Sequence, residues 1–161
     1  MNQAMTVSVR KDHAGVYVPP PLIYVAVFFL SVLLQSFIPL EHSWLRLHSW
    51  IGWILIALFP LLAFTAIYRF IVSKTTITTI HPVKSLQTSG IYAISRNPMY
   101  LGLLFLYAGI AVFKGNWWTF ILIPVLILIV QQYIIRREEK YLQRQFGNTF
   151  LSYKQKVRRW I

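Results

Sequence analysis

Four stretches of the chain, 22–40, 50–68, 98–113 and 117–135, contain no charged residue at all. A helix needs roughly 20 consecutive apolar residues to cross the hydrocarbon core of a bilayer, and these runs reach or approach that length. Nothing else in the chain constrains its fold so strongly. A water-soluble domain would have to hide every such run, and the composition does not suit that. Hydrophobic residues make up 57% of the chain and charged residues 12%, about half the charged share usual in soluble domains. The expected architecture is therefore an all-α integral membrane protein of about four transmembrane helices, forming one domain over residues 1–161. Within it, an amino-terminal segment (1–20) precedes two spans (21–72) and a more complex second half (73–161).

Local signals refine this. Pro19-Pro20-Pro21 resists helix and marks where the chain meets the membrane. The first apolar run is too long for the core of a signal peptide and no small-x-small site follows it, so it is expected to stay as a span. Pro60 and Pro124 lie inside the second and fourth runs and predict kinks. Thr75-Thr76-Ile77-Thr78-Thr79 predicts an extended or irregular stretch. Asn97 before Pro98 has the form of a helix start. Lys114-Gly115-Asn116 predicts a tight turn that folds the third and fourth spans into a hairpin. Gly102 and Gly109, seven residues apart, share a helix face suited to close packing. After residue 135 the pattern changes. Leu142, Phe146, Phe150, Tyr153, Val157 and Trp160 recur every three or four residues among basic side chains, a basic amphipathic tail expected in the membrane interface and broken at Gly147-Asn148.

The net charge is +12. The basic residues flank the apolar runs, as topology signals and contacts to anionic lipid do, so nucleic acid is not the expected partner. Arg10 and Lys11 lie at the amino terminus, Arg69, Lys74, Lys84 and Arg96 in the long loop, and half of the Lys and Arg residues in the tail, whereas the two remaining loops hold only Arg46 and Lys114. That asymmetry predicts both termini and the long loop on the cytoplasmic side, which suits an even number of spans in a prokaryotic cytoplasmic membrane. With no cysteine there is no disulfide, thiolate metal site or thiol nucleophile, and the histidines lack metal-ligand spacing.

Chemistry concentrates at two places that the hairpin brings to one membrane face. One is the end of the long loop and the start of the third span. The other is Arg136-Arg137-Glu138-Glu139, which holds two of the chain's four acidic residues. Ser-Gly-Ile-Tyr-x-x-x-Arg-Asn-Pro-Met-Tyr-Leu-Gly (89–102), followed by Glu138-Glu139-x-x-Leu142-x-x-x-Phe146-Gly147-x-x-x-x-x-Tyr153-x-x-x-Val157, resembles the isoprenylcysteine carboxyl methyltransferase and phospholipid methyltransferase superfamily. The resemblance covers about residues 75–160, and the first two spans add only hydrophobicity to it.

The resemblance implies S-adenosylmethionine as cofactor and methyl transfer to a lipophilic acceptor, either an isoprenylcysteine-like carboxylate or a lipid amine. The acceptor is then a lipophilic small molecule or a prenylated substrate reached from the bilayer. The same resemblance implies that Lys84, Ser85, Leu86, Gln87, Tyr92, Asn97, Pro98, Met99 and Tyr100 line the cofactor pocket, with Glu138 closing it. It points to Arg136 and Glu139 as catalytic, Arg136 being the nearest candidate for the arginine that orients the substrate. One position departs from the family pattern. Asn97 stands where the common form, Arg-His-Pro-x-Tyr, has histidine, and an amide can hydrogen-bond but cannot carry a proton near neutral pH. The residues also suit the cofactor independently, because a carboxylate and aromatic faces stabilise a sulfonium cation.

Simpler roles stand beside these. The acidic pair could be a solvated, salt-bridged helix end contributing about 0–1 kcal/mol, Tyr92 and Tyr100 could be interfacial belt residues, and Arg96 could set topology or bind lipid phosphate. Two other functions stay open on the sequence: an NADPH-dependent membrane reductase and a non-enzymatic four-span lipid-binding protein.

Overall fold

A computed structural model describes residues 14–40, 49–73, 83 and 85–161. All regular structure among them is helical. Helix α1 (Pro20–Phe37) opens with proline in its first turn, where the missing N–H has no helical partner to lose. Tyr24, Val27 and Ser31 form its buried face, at the three- and four-residue spacing of one helix stripe. Helix α2 (Ser49–Val72) carries Pro60 in its interior. A single 3₁₀ turn (Gly90–Ala93) precedes α3 (Pro98–Lys114). The chain then reverses at Gly115, which adopts the left-handed conformation with φ 58°. Asn116 caps the next helix by accepting the Trp118 amide at 2.9 Å. Lys114-Gly115-Asn116 is thus the tight turn the sequence predicts.

The fourth apolar run is subdivided. Helix α4 (Trp117–Ile121) and α5 (Ile123–Ile129) meet at Leu122, a π-helical turn covers Val130–Ile135, and α6 (Arg136–Lys156) follows. The junction residues Leu122, Val130 and Arg136 all keep right-handed helical angles, so the rod winds on from α4 into the tail without the boundary expected at residue 135. The disturbance near Pro124 falls just before it, at Leu122. The break at Gly147 is present: φ 52° and ψ −127° lie outside the helical region and turn the second half of α6 back toward the bundle. The Thr75–Thr79 stretch lies outside the described residues.

Helices α2 and α3 make the most extensive helix–helix contact, and glycines permit it. A Cβ on Gly109 would lie 2.9 Å from the Gly52 carbonyl oxygen and 2.8 Å from Ile56 Cγ1. The expected close packing at Gly109 is therefore real, and its partner is Gly52. Tyr24 and Val27 of α1, Tyr107 of α3, and Leu126, Val130 and Ile134 of the fourth rod make the core.

The membrane reading follows from which residues stay outside. Helices α1 and α2 have mean hydropathy 1.8 and 2.2 over their most apolar windows, yet only 17% and 11% of those windows are buried inside the protein. A core helix of a soluble protein would be mostly buried. Here Leu22, Phe29, Leu33, Trp53, Leu61, Phe64 and Ile71 face outward, an apolar surface that lipid solvates without cost. Two helices thus have the length and composition to cross, α3 is apolar but shorter, and the fourth rod is interrupted.

Candidate functional site

The site is built where the end of the long loop, the start of α3 and the start of α6 converge. Gly90, at φ 64°, begins the 3₁₀ turn, and a Cβ there would collide with the Arg69 guanidinium. The turn buries Tyr92 edge-on to Phe70 of α2, ring centroids 5.7 Å apart. Asn97 then starts α3, which carries Pro98, Met99 and Tyr100 in its first turn. Ile135, at the end of the π-helical turn, and Glu138, Glu139 and Leu142 of α6 all line one side, at the i, i+3, i+4, i+7 spacing of one helix face.

These elements enclose a cavity of about 510 Å³, within the range of small-molecule sites. Ser85, Leu86, Gln87, Tyr92, Asn97, Pro98, Met99, Tyr100, Glu138 and Glu139 all line it. Arg136 does not. It begins α6 one position beyond Ile135, a rotation of about 100° on a helix, and is exposed to the outside. Lys84 lies outside the described residues.

Three further contributions complete the cavity, and of their residues only Tyr153 belongs to the motif blocks. Phe59, Ala63, Ile67 and Phe70 of α2 form an apolar wall, the segment from Val16 to Pro21 closes another side, and Phe150 and Tyr153 arrive from beyond the Gly147 turn. The α2 stripe is legible in the sequence only as more hydrophobicity. The tail's apolar residues are also redirected. Phe150, Tyr153 and Val157, expected in the membrane interface, are buried against Leu86, Leu142 and Phe146, so the protein itself consumes that stripe.

Hydrogen bonds knit the site over long sequence separations. Tyr100 donates its hydroxyl proton to Glu138 Oε1 at 2.6 Å, and its own carbonyl accepts from the Tyr24 hydroxyl at 2.9 Å. Tyr141 accepts the Val83 amide at 3.0 Å. Tyr153 donates to the Tyr92 carbonyl at 2.6 Å, and the Arg96 amide donates to the Arg158 carbonyl at 3.1 Å. Asn97 Nδ2 donates to the Arg159 carbonyl at 2.9 Å, so in this chain the amide at that position ties down the tail.

Glu139 sits at the centre of the charges. Arg159 grips both of its oxygens at 2.8 Å, Arg96 Nη1 lies 3.1 Å from Oε1 and Lys154 3.8 Å from Oε2. Burial alone would raise the carboxyl's pKa, but Arg159, Arg96 and Lys154 together hold it below its usual value. Burial pulls the Arg96 guanidinium below its ordinary value, with Glu139 opposing. The hydrogen bond to Glu139 raises Arg159. Burial pushes Tyr153 up to about 12 and Tyr92 further, with Tyr153 and Glu138 adding to the effect on Tyr92. Both phenols are thus neutral donors at neutral pH.

A helical membrane protein in which carboxylates and tyrosines line one largely apolar cavity has the form of a small-molecule site. The comparison with known sequences specifies which kind. Residues 47–149 match the phospholipid methyltransferase family, more than half of the chain, and the chain belongs to that family of methyltransferases. The match takes in α2, which had seemed to contribute hydrophobicity alone and which walls the cavity. An uncharacterized protein of Haemophilus influenzae is 41% identical over 63 residues, covering 39% of this chain and 100% of its own length.

Proposed function

We propose that the protein transfers a methyl group from S-adenosylmethionine to a lipophilic acceptor, an isoprenylcysteine-like carboxylate or a lipid amine, at the cytoplasmic face of the membrane. The observation that carries this reading is the single cavity in which Glu138, Tyr92 and Tyr100 meet an apolar wall from α2. Bound there, the cofactor would supply an electrophilic methyl group on a sulfonium.

The lining fits that group in size and in chemistry. Glu138 and the two tyrosine rings offer a carboxylate and π-faces to a cation in a partly desolvated site, where such attraction is stronger than in water. Leu86, Met99 and Phe150 offer apolar surface to an adenosine. Tyr100 holds Glu138 in place, and the Tyr24 hydroxyl holds the Tyr100 backbone. Phe59 lies ten residues into α2 from Arg69, about 15 Å at the helical rise, so the α2 wall runs from the interface toward the bilayer interior. An acceptor chain sliding along it would present its reactive end to the polar corner, and alignment of the nucleophile with the methyl carbon accounts for much of the rate in such reactions. Glu139, gripped by three cations, serves in this reading as the strut that keeps the tail closed over the cavity and not as a base.

The test is calorimetric binding of S-adenosylhomocysteine to the purified protein, with NADPH in parallel. Micromolar affinity for S-adenosylhomocysteine, reduced about tenfold or more in Glu138→Gln, is the expected result, tenfold being ~1.4 kcal/mol. A folded sample that binds NADPH and not S-adenosylhomocysteine would replace methyl transfer with reduction.

A further inference from the structure

Helix α2 uses two faces. One is the wall of Phe59, Ala63, Ile67 and Phe70 that lines the cavity. On another, Phe64, Thr65, Tyr68 and Arg69 form an open groove with Gly90 and Ile91 of the 3₁₀ turn. At about 100° per residue, Phe64 and Tyr68 lie roughly 100–150° round the helix from the cavity wall. The groove therefore opens away from the cavity, on the side that faces lipid. Its surroundings suit that exposure, since Leu61, Phe64, Tyr68 and Ile94 all present apolar surface to the outside.

The cation in this groove is fixed in place, and no carboxylate of the described residues balances it. A Cβ on Gly90 would lie 2.7 Å from Arg69 Nη2 and 2.9 Å from Cζ, so the guanidinium rests against bare backbone that only glycine leaves open. The chain has just four acidic residues, Asp12, Glu41, Glu138 and Glu139. Among the described residues all three ion pairs go to Glu139, Glu138 accepts from Tyr100, and Arg69 enters no ion pair. Arg69 lies in the last turn of α2, which ends at Val72, and Phe64 is about 7.5 Å deeper along the helix at 1.5 Å per residue. A cation at headgroup depth, with an apolar strip running inward from it, is complementary to a phospholipid: the phosphodiester meets the guanidinium and an acyl chain covers the strip.

We infer that this groove seats one bilayer phospholipid, its phosphodiester on Arg69 and a chain along Phe64 and Leu61, as a structural ligand separate from whatever occupies the cavity. Two contacts tie the seat to the cavity across α2. Gly90, against which Arg69 rests, opens the turn that buries Tyr92. The Ser73 hydroxyl lies 2.6 Å from the Arg69 carbonyl and 2.7 Å from Gln87 Oε1. Tyr92 and Gln87 both line the cavity. A lipid that pins Arg69 thus holds the end of α2 against two segments of the cavity wall, and it is not consumed by the reaction.

The seat is tested by titrating three probes separately into the detergent-purified protein and following its unfolding temperature. The probes are dihexanoyl phosphatidylglycerol, dihexanoylglycerol, which lacks the phosphate, and inorganic phosphate, which lacks the chains. Wild type is compared with Arg69→Gln and with Arg144→Gln, which removes an exposed cation of α6 and so reports diffuse attraction of anions. Phosphatidylglycerol should raise the wild-type unfolding temperature by several degrees, as a ligand of the folded state must, and the other two probes should not. The response should vanish in Arg69→Gln and persist in Arg144→Gln. In parallel, wild type is photolabelled with a phosphatidylglycerol that carries a diazirine in one chain. Label should appear between Leu61 and Arg69 and be displaced by unlabelled phosphatidylglycerol but not by dihexanoylglycerol. This second measurement needs no variant, so it decides the matter if Arg69→Gln does not fold. An equal response to dihexanoylglycerol would reduce the groove to an apolar surface, and an equal response to inorganic phosphate would make it a free-anion site. Equal losses in the two variants, or no displaceable label between Leu61 and Arg69, would likewise overturn the seat. None of these results touches the methyl-transfer reading, which stands or falls on S-adenosylhomocysteine binding.

Discussion

The two ends of the helical bundle are both held by polar contacts, but of different kinds. At the end near Asn116 the contacts are between neutral groups. The Ser31 and Thr119 hydroxyls meet at 2.9 Å, Asn116 donates to the Ser31 carbonyl at 3.2 Å, and the Trp118 indole donates to the Ile38 carbonyl at 2.9 Å. These bonds join α1 to α4 and its capping residue. At the tail end the contacts are charged, and all three ion pairs found among the described residues share Glu139. There Arg96, largely buried, meets Glu139 as an ion pair at 3.1 Å. The neutral end is a lock between helices. The charged end borders the cavity, which Arg96 and Glu139 both line.

Glu139→Ala should break that contrast most severely. It strips the counter-charge from a buried Arg96 and from Arg159, and removing one partner of a buried pair costs about 3–5 kcal/mol. Thermal unfolding in detergent should show a large loss of stability, together with loss of ligand binding. The same carboxylate makes the tail end sensitive to acid. Its pKa in the folded protein lies below the unfolded value of about 4.3, so its stabilisation is complete above that pH and lost as pH falls through the folded value. Unfolding temperature measured from pH 7 to pH 3 should fall more steeply in wild type than in Glu139→Gln, and parallel curves would show that the cluster adds no linkage.

Gly109→Ala tests the packing that the two ends share. Its new methyl must displace the Gly52 carbonyl or Ile56, and overpacking of this kind costs about 1–3 kcal/mol. Because α2 also walls the cavity, ligand affinity should weaken along with stability. Asn116→Ala should separate the ends. Losing the cap and the bond to Ser31 should cost about 1 kcal/mol without changing affinity for S-adenosylhomocysteine, and a drop in affinity would show that the lock communicates with the site. Tyr153→Phe is the smallest perturbation. It removes the bond to the Tyr92 carbonyl, about 1 kcal/mol, and its effect should appear as faster ligand dissociation more than as lost stability.

Much of the cavity was legible because the motif residues crowd into two short segments that a hairpin must bring together. Leu86, Tyr92, Asn97 and Tyr100 needed only the turn at Gly115 and the approach of α6 to meet Glu138. Arg136 lies outside the cavity for a geometric reason. Proximity in sequence to Glu138 says nothing about helix face, whereas the Ile135, Glu138, Glu139, Leu142 spacing does, and it leaves Arg136 outside.

What the sequence determined by itself is the solvent and the punctuation. Long uncharged runs demand lipid because water cannot solvate them, Gly115 supplies the left-handed turn that closes the hairpin, and Gly147 breaks the tail. These are local properties of side chain and backbone. Only the tertiary structure decided that α2 and the segment before α1 wall the cavity, that the tail's apolar stripe is spent on the protein, and that Arg96, Lys154 and Arg159 gather on one carboxylate. Those outcomes depend on contacts between residues fifteen to more than sixty positions apart, such as Lys154 with Glu139 and Asn97 with Arg159. No periodicity or spacing encodes such pairs, because each is selected by how whole helices pack and not by the residues beside it.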